Sequence, residues 1–222
     1  MKADRFVCNA KEREGGFDLL RISFTELPLE GILYVEVKAR EESYIYGGDY
    51  ETALEGIKPK DISLALCICT FKREKELSGN LDALKNEIIE NQESVLYRKV
   101  GIFISDNGGT LTEEITGNHR EINVFPNRNA GGAGGFTRAM TEALGFTSDD
   151  GEAGIIGKKR KGYSHLILMD DDIMLNPEII IRTYNFLALI KDNYKDAMVG
   201  AHMLSLDDRS MLYEAGARRS GI

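Results

Sequence analysis

From Asp61 onward, apolar runs of strand length alternate with segments of helical periodicity. "ISLALCIC" (62–69) is apolar on both faces, as in a parallel strand covered by helices on either side. "ELSGNLDALKNEII" then sets Leu77, Leu81, Leu84 and Ile88 at helical spacing. "KVGIFISDNGG" predicts a second buried strand ending in a turn, and "EINVFPNRNAGGAGG" a short strand followed by a glycine-rich loop. "GFTRAMTEALGF" predicts a helix with Phe136, Met140, Ala143 and Leu144 on one face, and "SHLILMDDD" another strand. "NPEIIIRTYNFLALIKD" predicts a helix with Asn176 as N-cap and Pro177 at its first position, and "AMVGAHML" a further strand. Strands alternating with helices imply an α/β fold with a mostly parallel, Rossmann-like sheet and flanking helices. Residues 1–58 differ. "RISFTEL" and "GILYVEVKARE" alternate apolar and polar positions, as half-exposed strands do, and "YGGDYET" reads as a turn leading into strand-like residues. The expected organisation is a β-rich segment over 1–58 and an α/β domain over 59–222, with the boundary near Pro59. There is no internal repeat.

Composition narrows the function classes. The chain has 222 residues, 42% hydrophobic and 29% charged, enough for a sizeable core. A net charge of -8 argues against a broad nucleic-acid surface. No apolar run approaches the roughly 20 residues of a membrane span, and "MKADRFVCNAKEREGG" has no secretory apolar region. Cys67 and Cys69 share a strand face and read as reduced core thiols, which fits a cytoplasmic setting. The "KKRK" run in the polar loop 148–162 reads as solvated surface, and His119, His165 and His202 as structural.

The candidate chemistry falls after the strands, where open α/β sheets bind ligands. Asp170 and Asp172 are two apart, so on a strand they share a face while Asp171 points elsewhere. Two carboxylates at close range call for a cation, and Mg²⁺ or Mn²⁺ bridging to phosphates is the expected partner. "NRNAGGAGGFTRAM" is neither a dinucleotide fingerprint, because Thr137 stands where the third glycine should be, nor a P-loop. It still offers backbone that a ligand can approach closely, followed by a helix N-terminus that favours anions. Lys72 and Arg73 in "TFKRE" can hold a diphosphate, and Asp106 in "SDNGG" can accept hydrogen bonds from a base or ribose or serve as a turn residue.

Taken in order, "CTFKR", "SDNGG", "NRNAGGAGGFTRAMTEAL" and "LMDDDIMLNPE" resemble family 2 glycosyltransferases of the GT-A fold. The triple aspartate and "GGFTRAM" look most like the bacterial galactofuranosyltransferases, as does "VGAHMLSLDDRSMLYEAGA" further on. The resemblance covers about 61–219. It implies a UDP-sugar donor, UDP-galactofuranose foremost, a Mn²⁺ or Mg²⁺ ion, and a glycan or lipid-linked glycan acceptor. It also implies that the β-rich segment is part of a β-sandwich. Carried over by position, Thr70, Phe71 and Arg73 line the nucleotide pocket and Asp106 contacts the uridine. Asn129, Gly131 and Gly132 lie beside the donor, Asp170 and Asp172 hold metal and diphosphate, and Asp171 lies near the sugar. The implied reaction is direct, inverting attack by an acceptor hydroxyl, with the metal stabilising the departing UDP.

The pattern departs from the family after the aspartates. The family's catalytic base and a histidine metal ligand lie well downstream; Asp207, Asp208 and His202 do not match them. The base is expected beyond Ile222, and the polypeptide is expected to be partial, with a short N-terminal β domain and an unusually long 148–162 loop. The alternatives carried are a rhamnosyltransferase using dTDP-rhamnose, or another family 2 enzyme, and a non-catalytic nucleotide-sugar-binding module. A dinucleotide-dependent oxidoreductase fails on its glycines. The expected location is the cytoplasm, with peripheral association at the inner face of the cell membrane and a homo-oligomeric state both left open.

Overall fold

The computed structural model describes residues 38, 42, 44, 46–48, 54–145 and 162–214, with the backbone of 12–14 and 17–19. The expected strands at 21–27 and 31–41, and the loop at 148–161 with its "KKRK" run, lie outside the described residues. The chain divides into two compact units, Met1–Thr52 and Ala53–Ile222. In the first, strands β1 (Glu12–Glu14) and β2 (Phe17–Leu19) pair antiparallel.

The second unit is α/β and Rossmann-like. Its elements in order are β3 (Leu64–Thr70), α1 (Glu74–Leu84), β4 (Val100–Asp106), α2 (Glu113–Thr116), β5 (Ile122–Pro126), α3 (Gly131–Ala143), β6 (His165–Asp170), α4 (Glu178–Leu189), β7 (Met203–Leu204) and β8 (Leu212–Glu214). Helix α1 runs on into a π-helical turn, Lys85–Ile89. Strands β5, β4, β3 and β6 lie side by side in that order, all parallel. The chain steps outward from β3 to β4 to β5, then crosses back to place β6 on the far side of β3. The direction of winding therefore reverses between β3 and β6, which is where such sheets open a ligand crevice.

Strand alternation sorts the core into two layers. Leu64, Leu66, Ile68, Ile102 and Ile104 face the side covered by Leu77, Leu81 and Leu84 of α1 and Ile180, Tyr184 and Leu187 of α4. All five strand residues are fully buried; each contributes about 1.5–3 kcal/mol from area removed from water. Ala65, Cys67 and Phe103 face α3, where Ala139 and Ala143 complete a smaller layer. The α1–α4 side is thus thick with branched aliphatics and the α3 side is thin.

The structure corrects the sequence reading in three places. The "GGAGG" stretch is helical rather than loop: α3 already begins at Gly131. The buried stripe of α3 is Gly135, Ala139 and Ala143; of the expected face, Ala143 is buried and Met140 packs against the same layer, while Phe136 stays half-buried. Small residues there let the helix lie close to the sheet; a Cβ at Gly135 would fall 2.1 Å from the Cys69 sulfur. Finally, "AMVGAHML" forms strand only at Met203–Leu204, paired antiparallel with Leu212–Glu214. Met198 is 99% exposed, and among the described residues no strand pairs with it.

Candidate functional site

Residue pairing across the sheet aligns the strand ends. Thr70 lies opposite Asp106, Asp106 opposite Pro126, and Cys69 opposite Asp170. The segments leaving these ends therefore share one edge. Together they enclose a cleft of about 490 Å³, lined by Cys69, Phe71, Arg73, Asn107, Asn129, Gly131, Gly132, Phe136, Asp170, Asp171 and Asp172.

Each wall has a local cause. After β3 the chain turns sharply through Lys72, whose φ of 57° is left-handed and uncommon for a residue with a side chain. The turn brings Phe71 and Arg73 to the cleft while Lys72 lies over the Phe71 ring, 5.4 Å from its centroid. Arg73 sits at the start of α1 and forms an ion pair with Asp172. That partner keeps the guanidinium charged, shifting its pKa further up.

After β4, Asn107 ties three segments together. Its Nδ2 lies 3.3 Å from the Cys69 sulfur and 3.4 Å from the Gly131 carbonyl oxygen, as donor to both. Its Oδ1 accepts from Asn127 Nδ2 at 2.8 Å. The opening of α3 is thereby fastened to the sheet edge. Asn129 Oδ1 accepts from the Gly131 amide at 3.1 Å, and the first turn of α3 carries no acidic residue. A helix of 13 residues presents its positive end here, with glycine backbone at the surface.

The aspartates form the opposite wall. Strand β6 ends at Asp170, so strand alternation does not govern Asp172. All three carboxylates line the cleft: Asp170 and Asp172 are exposed, and Asp171 is nearly buried. Three carboxylates thus face one guanidinium. Burial holds the Cys69 thiol above its ordinary pKa, with Asp171 and Asp170 adding to the effect.

Two predicted site residues are placed elsewhere. Asp106 is buried and its carboxylate serves its own loop, accepting from the amides of Gly108 and Gly109 at 3.0 and 2.8 Å and of Leu111 at 2.9 Å. Thr70 lies on the α1–α4 side of β3, and its buried hydroxyl has no hydrogen-bond partner among the described residues. Conversely, the cleft is also lined by Cys69 and Phe136, which the sequence suggests for the core and a helix face, and by Asn107, which no sequence reading names. Period-two alternation was the available signal: Cys69 follows Ala65 and Cys67, and Asn107 follows Phe103 and Ser105, onto the α3 side. Among the histidines, His119 lies 3.4 Å from Glu90 and His165 3.0 Å from the Ser164 hydroxyl, both away from the cleft lining.

Chemically the cleft is bipolar. One wall offers a helix N-terminus and an arginine, and the other offers carboxylates. An anion alone meets repulsion from the aspartates; an anion carrying a divalent cation satisfies both walls. Mg²⁺-type sites commonly use one or two carboxylates and complete their shell with water and phosphate oxygens. Asp170 and Asp172 fit that pattern. Among the described residues no group of three or more His, Cys, Asp and Glu side chains could hold a metal by itself.

No family model matches the chain. It is 26% identical over 165 residues to a galactofuranosyltransferase of Mycolicibacterium smegmatis, a match covering 71% of this chain and 22% of that protein. With a galactofuranosyltransferase of Mycobacterium tuberculosis it shares 32% identity over 95 residues, 43% of this chain and 12% of that protein. The chain spans less than a quarter of the length of either relative. The similarity relates it in sequence to glycosyltransferases. No helix among the described residues is long and apolar enough to cross a membrane.

Proposed function

We propose that the chain carries the donor site of a glycosyltransferase that moves a sugar, galactofuranose first among candidates, from a UDP-sugar to a glycan or lipid-linked glycan acceptor. The observation supporting this reading is the bipolar cleft at the point where the winding of the sheet reverses. Phe71 offers a flat apolar face for a base. Arg73 and the N-terminus of α3 attract a diphosphate. Asp170 and Asp172 would hold Mn²⁺ or Mg²⁺ against it, and Asp171 lies deeper, toward the sugar. When bound, the cation supplies Lewis-acid stabilisation of the departing nucleotide. The residues of this chain bind and orient the donor. Asp106 and Thr70 act behind the site, since neither lines the cleft.

A thermal-shift panel of UDP-galactofuranose, UDP and dTDP-rhamnose, each with Mn²⁺ and with EDTA, tests the assignment. A ligand at a hundredfold excess over its Kd stabilises by about 2.7 kcal/mol. For a unit of this size that raises Tm by roughly 5–10 °C. The expected result is a rise with UDP-galactofuranose and Mn²⁺ that is clearly smaller in EDTA. A rise with dTDP-rhamnose alone reverses the donor assignment, and no rise with any nucleotide refutes the reading.

A further inference from the structure

Within the cleft Arg73 pairs with the Asp172 carboxylate, and the backbone of the acidic turn is held by a residue outside the cleft lining. Between the end of β6 at Asp170 and the start of α4 at Glu178 the chain runs without strand or helix, so its backbone groups need other partners. Asn80, on α1 and only 4% exposed, supplies several of them. Its Nδ2 donates to the Ile173 carbonyl at 2.8 Å and more weakly to the Asp171 carbonyl at 3.5 Å. Its Oδ1 accepts from the Leu175 amide at 2.9 Å. The contacted residues are 171, 173 and 175, so one side-chain amide grips the turn at alternate positions, as a strand neighbour would. Only a primary amide has both donors and an acceptor for this task.

We infer that Asn80 is the positioning residue of the acidic turn: it holds the 171–175 backbone so that Asp170 and Asp172 meet a cation–diphosphate ligand at fixed separation. The inference rests on the donor-site reading. Helix α1 thus grips the turn twice. Arg73 pairs with the Asp172 carboxylate at the surface, and Asn80 fixes the backbone from below. A polar side chain buried in a helix otherwise lined with Leu77, Leu81 and Leu84 is costly unless fully partnered, and its partners all lie on this turn. Groups that orient the ligands of a metal typically change its affinity by about 10–100-fold when removed.

The test uses the full chain, Asn80→Ala and Asn80→Asp. Asp keeps the shape and the acceptor for Leu175 but loses both donors and sets a charge against two carbonyls. Amide hydrogen exchange of the ligand-free protein and titration with UDP, with Mn²⁺ or in EDTA, are the readouts. The expected result is faster exchange confined to residues 171–175, with β3 and β4 unchanged. Mn²⁺-dependent UDP affinity falls at least about tenfold, while affinity in EDTA holds. Unchanged exchange, or a uniform loss of affinity with and without Mn²⁺, overturns the positioning role. If neither folds, Asn80→Ser, which is small and uncharged and cannot span all three backbone partners, carries the same comparison. Absence of Mn²⁺-dependent binding in the wild type refutes the donor-site reading and the ligand part of this inference. The exchange data then still decide whether Asn80 holds the turn.

Discussion

Replacing Gly135 with Ala tests whether α3 sits against the sheet as described. An added Cβ would meet the Cys69 sulfur at 2.1 Å, the Cys69 Cβ at 2.9 Å and the Asn107 Nδ2 at 3.2 Å. Ordinary contact begins near 3.4 Å, so the helix or the thiol must move by more than an ångström. Overpacking of this kind costs about 1–3 kcal/mol. Alanine's helix propensity returns up to about 1 kcal/mol. Gly132→Ala is the internal control, because a Cβ there meets nothing within 4 Å. It carries the propensity gain without the clash, so Gly135→Ala should be less stable than Gly132→Ala by about 2 kcal/mol. In a unit of this length that separates the two melting temperatures by roughly 4–8 °C. Calorimetry of both variants measures the difference. A Cys69→Ala background should relieve the cost by at least about 1 kcal/mol, since the sulfur is the nearest obstacle. Equal melting temperatures for the two alanine variants would refute the close packing. An undiminished clash in the Cys69→Ala background would refute its assigned cause.

Other expectations follow from the same geometry. Asp106→Ala strands the amides of Gly108, Gly109 and Leu111, and chemical denaturation should show a loss of about 2–4 kcal/mol; a loss under about 1 kcal/mol contradicts the assigned role. Arg73→Met frees Asp172 from a competing cation, so calorimetric titration should show Mn²⁺ binding without nucleotide about two- to fivefold tighter, the worth of an exposed ion pair. UDP should bind that variant more weakly, and tighter UDP binding refutes the diphosphate role. The thiolate is the reactive form, and burial pushes the Cys67 thiol up to about 12 and holds Cys69 above its ordinary value. At about pH 8, iodoacetamide mapped by mass spectrometry should therefore leave Cys67 unmodified and label Cys69 slowly, more slowly still with UDP and Mn²⁺. Labelling of Cys67 at the rate of a free thiol contradicts its burial.

Much of the sheet was legible because its strands are apolar on both faces and its helices repeat at 3.6 residues. "ISLALCIC" and "KVGIFIS" lie within one to two residues of the observed β3 and β4. Helix α4 opens one residue later than expected, with Pro177 rather than Asn176 at the N-cap, although Asn176 Oδ1 still accepts from the Glu178 amide at 3.1 Å. The glycine stretch was misread because glycine signals backbone freedom and close approach equally well. At Gly135 the packing against Cys69 decides, which no local pattern reveals. The site was legible as four segments at the strand ends, but not as individual side chains. Asp106 and Thr70 fall one residue from the cleft-facing positions, Asn107 and Cys69, and a one-residue step reverses the face. The role of Asn80 depends on contacts more than ninety residues away in sequence, so nothing near it announces them.

Titration of the full chain with UDP, in Mn²⁺ and in EDTA, for the wild type and Asp172→Ala, tests the central claim most directly. The account predicts wild-type affinity at least about tenfold higher with Mn²⁺. That gain disappears in Asp172→Ala, with the melting temperature of the ligand-free variant nearly unchanged. Wild-type binding indifferent to Mn²⁺, or a full Mn²⁺ gain surviving in Asp172→Ala, would contradict it.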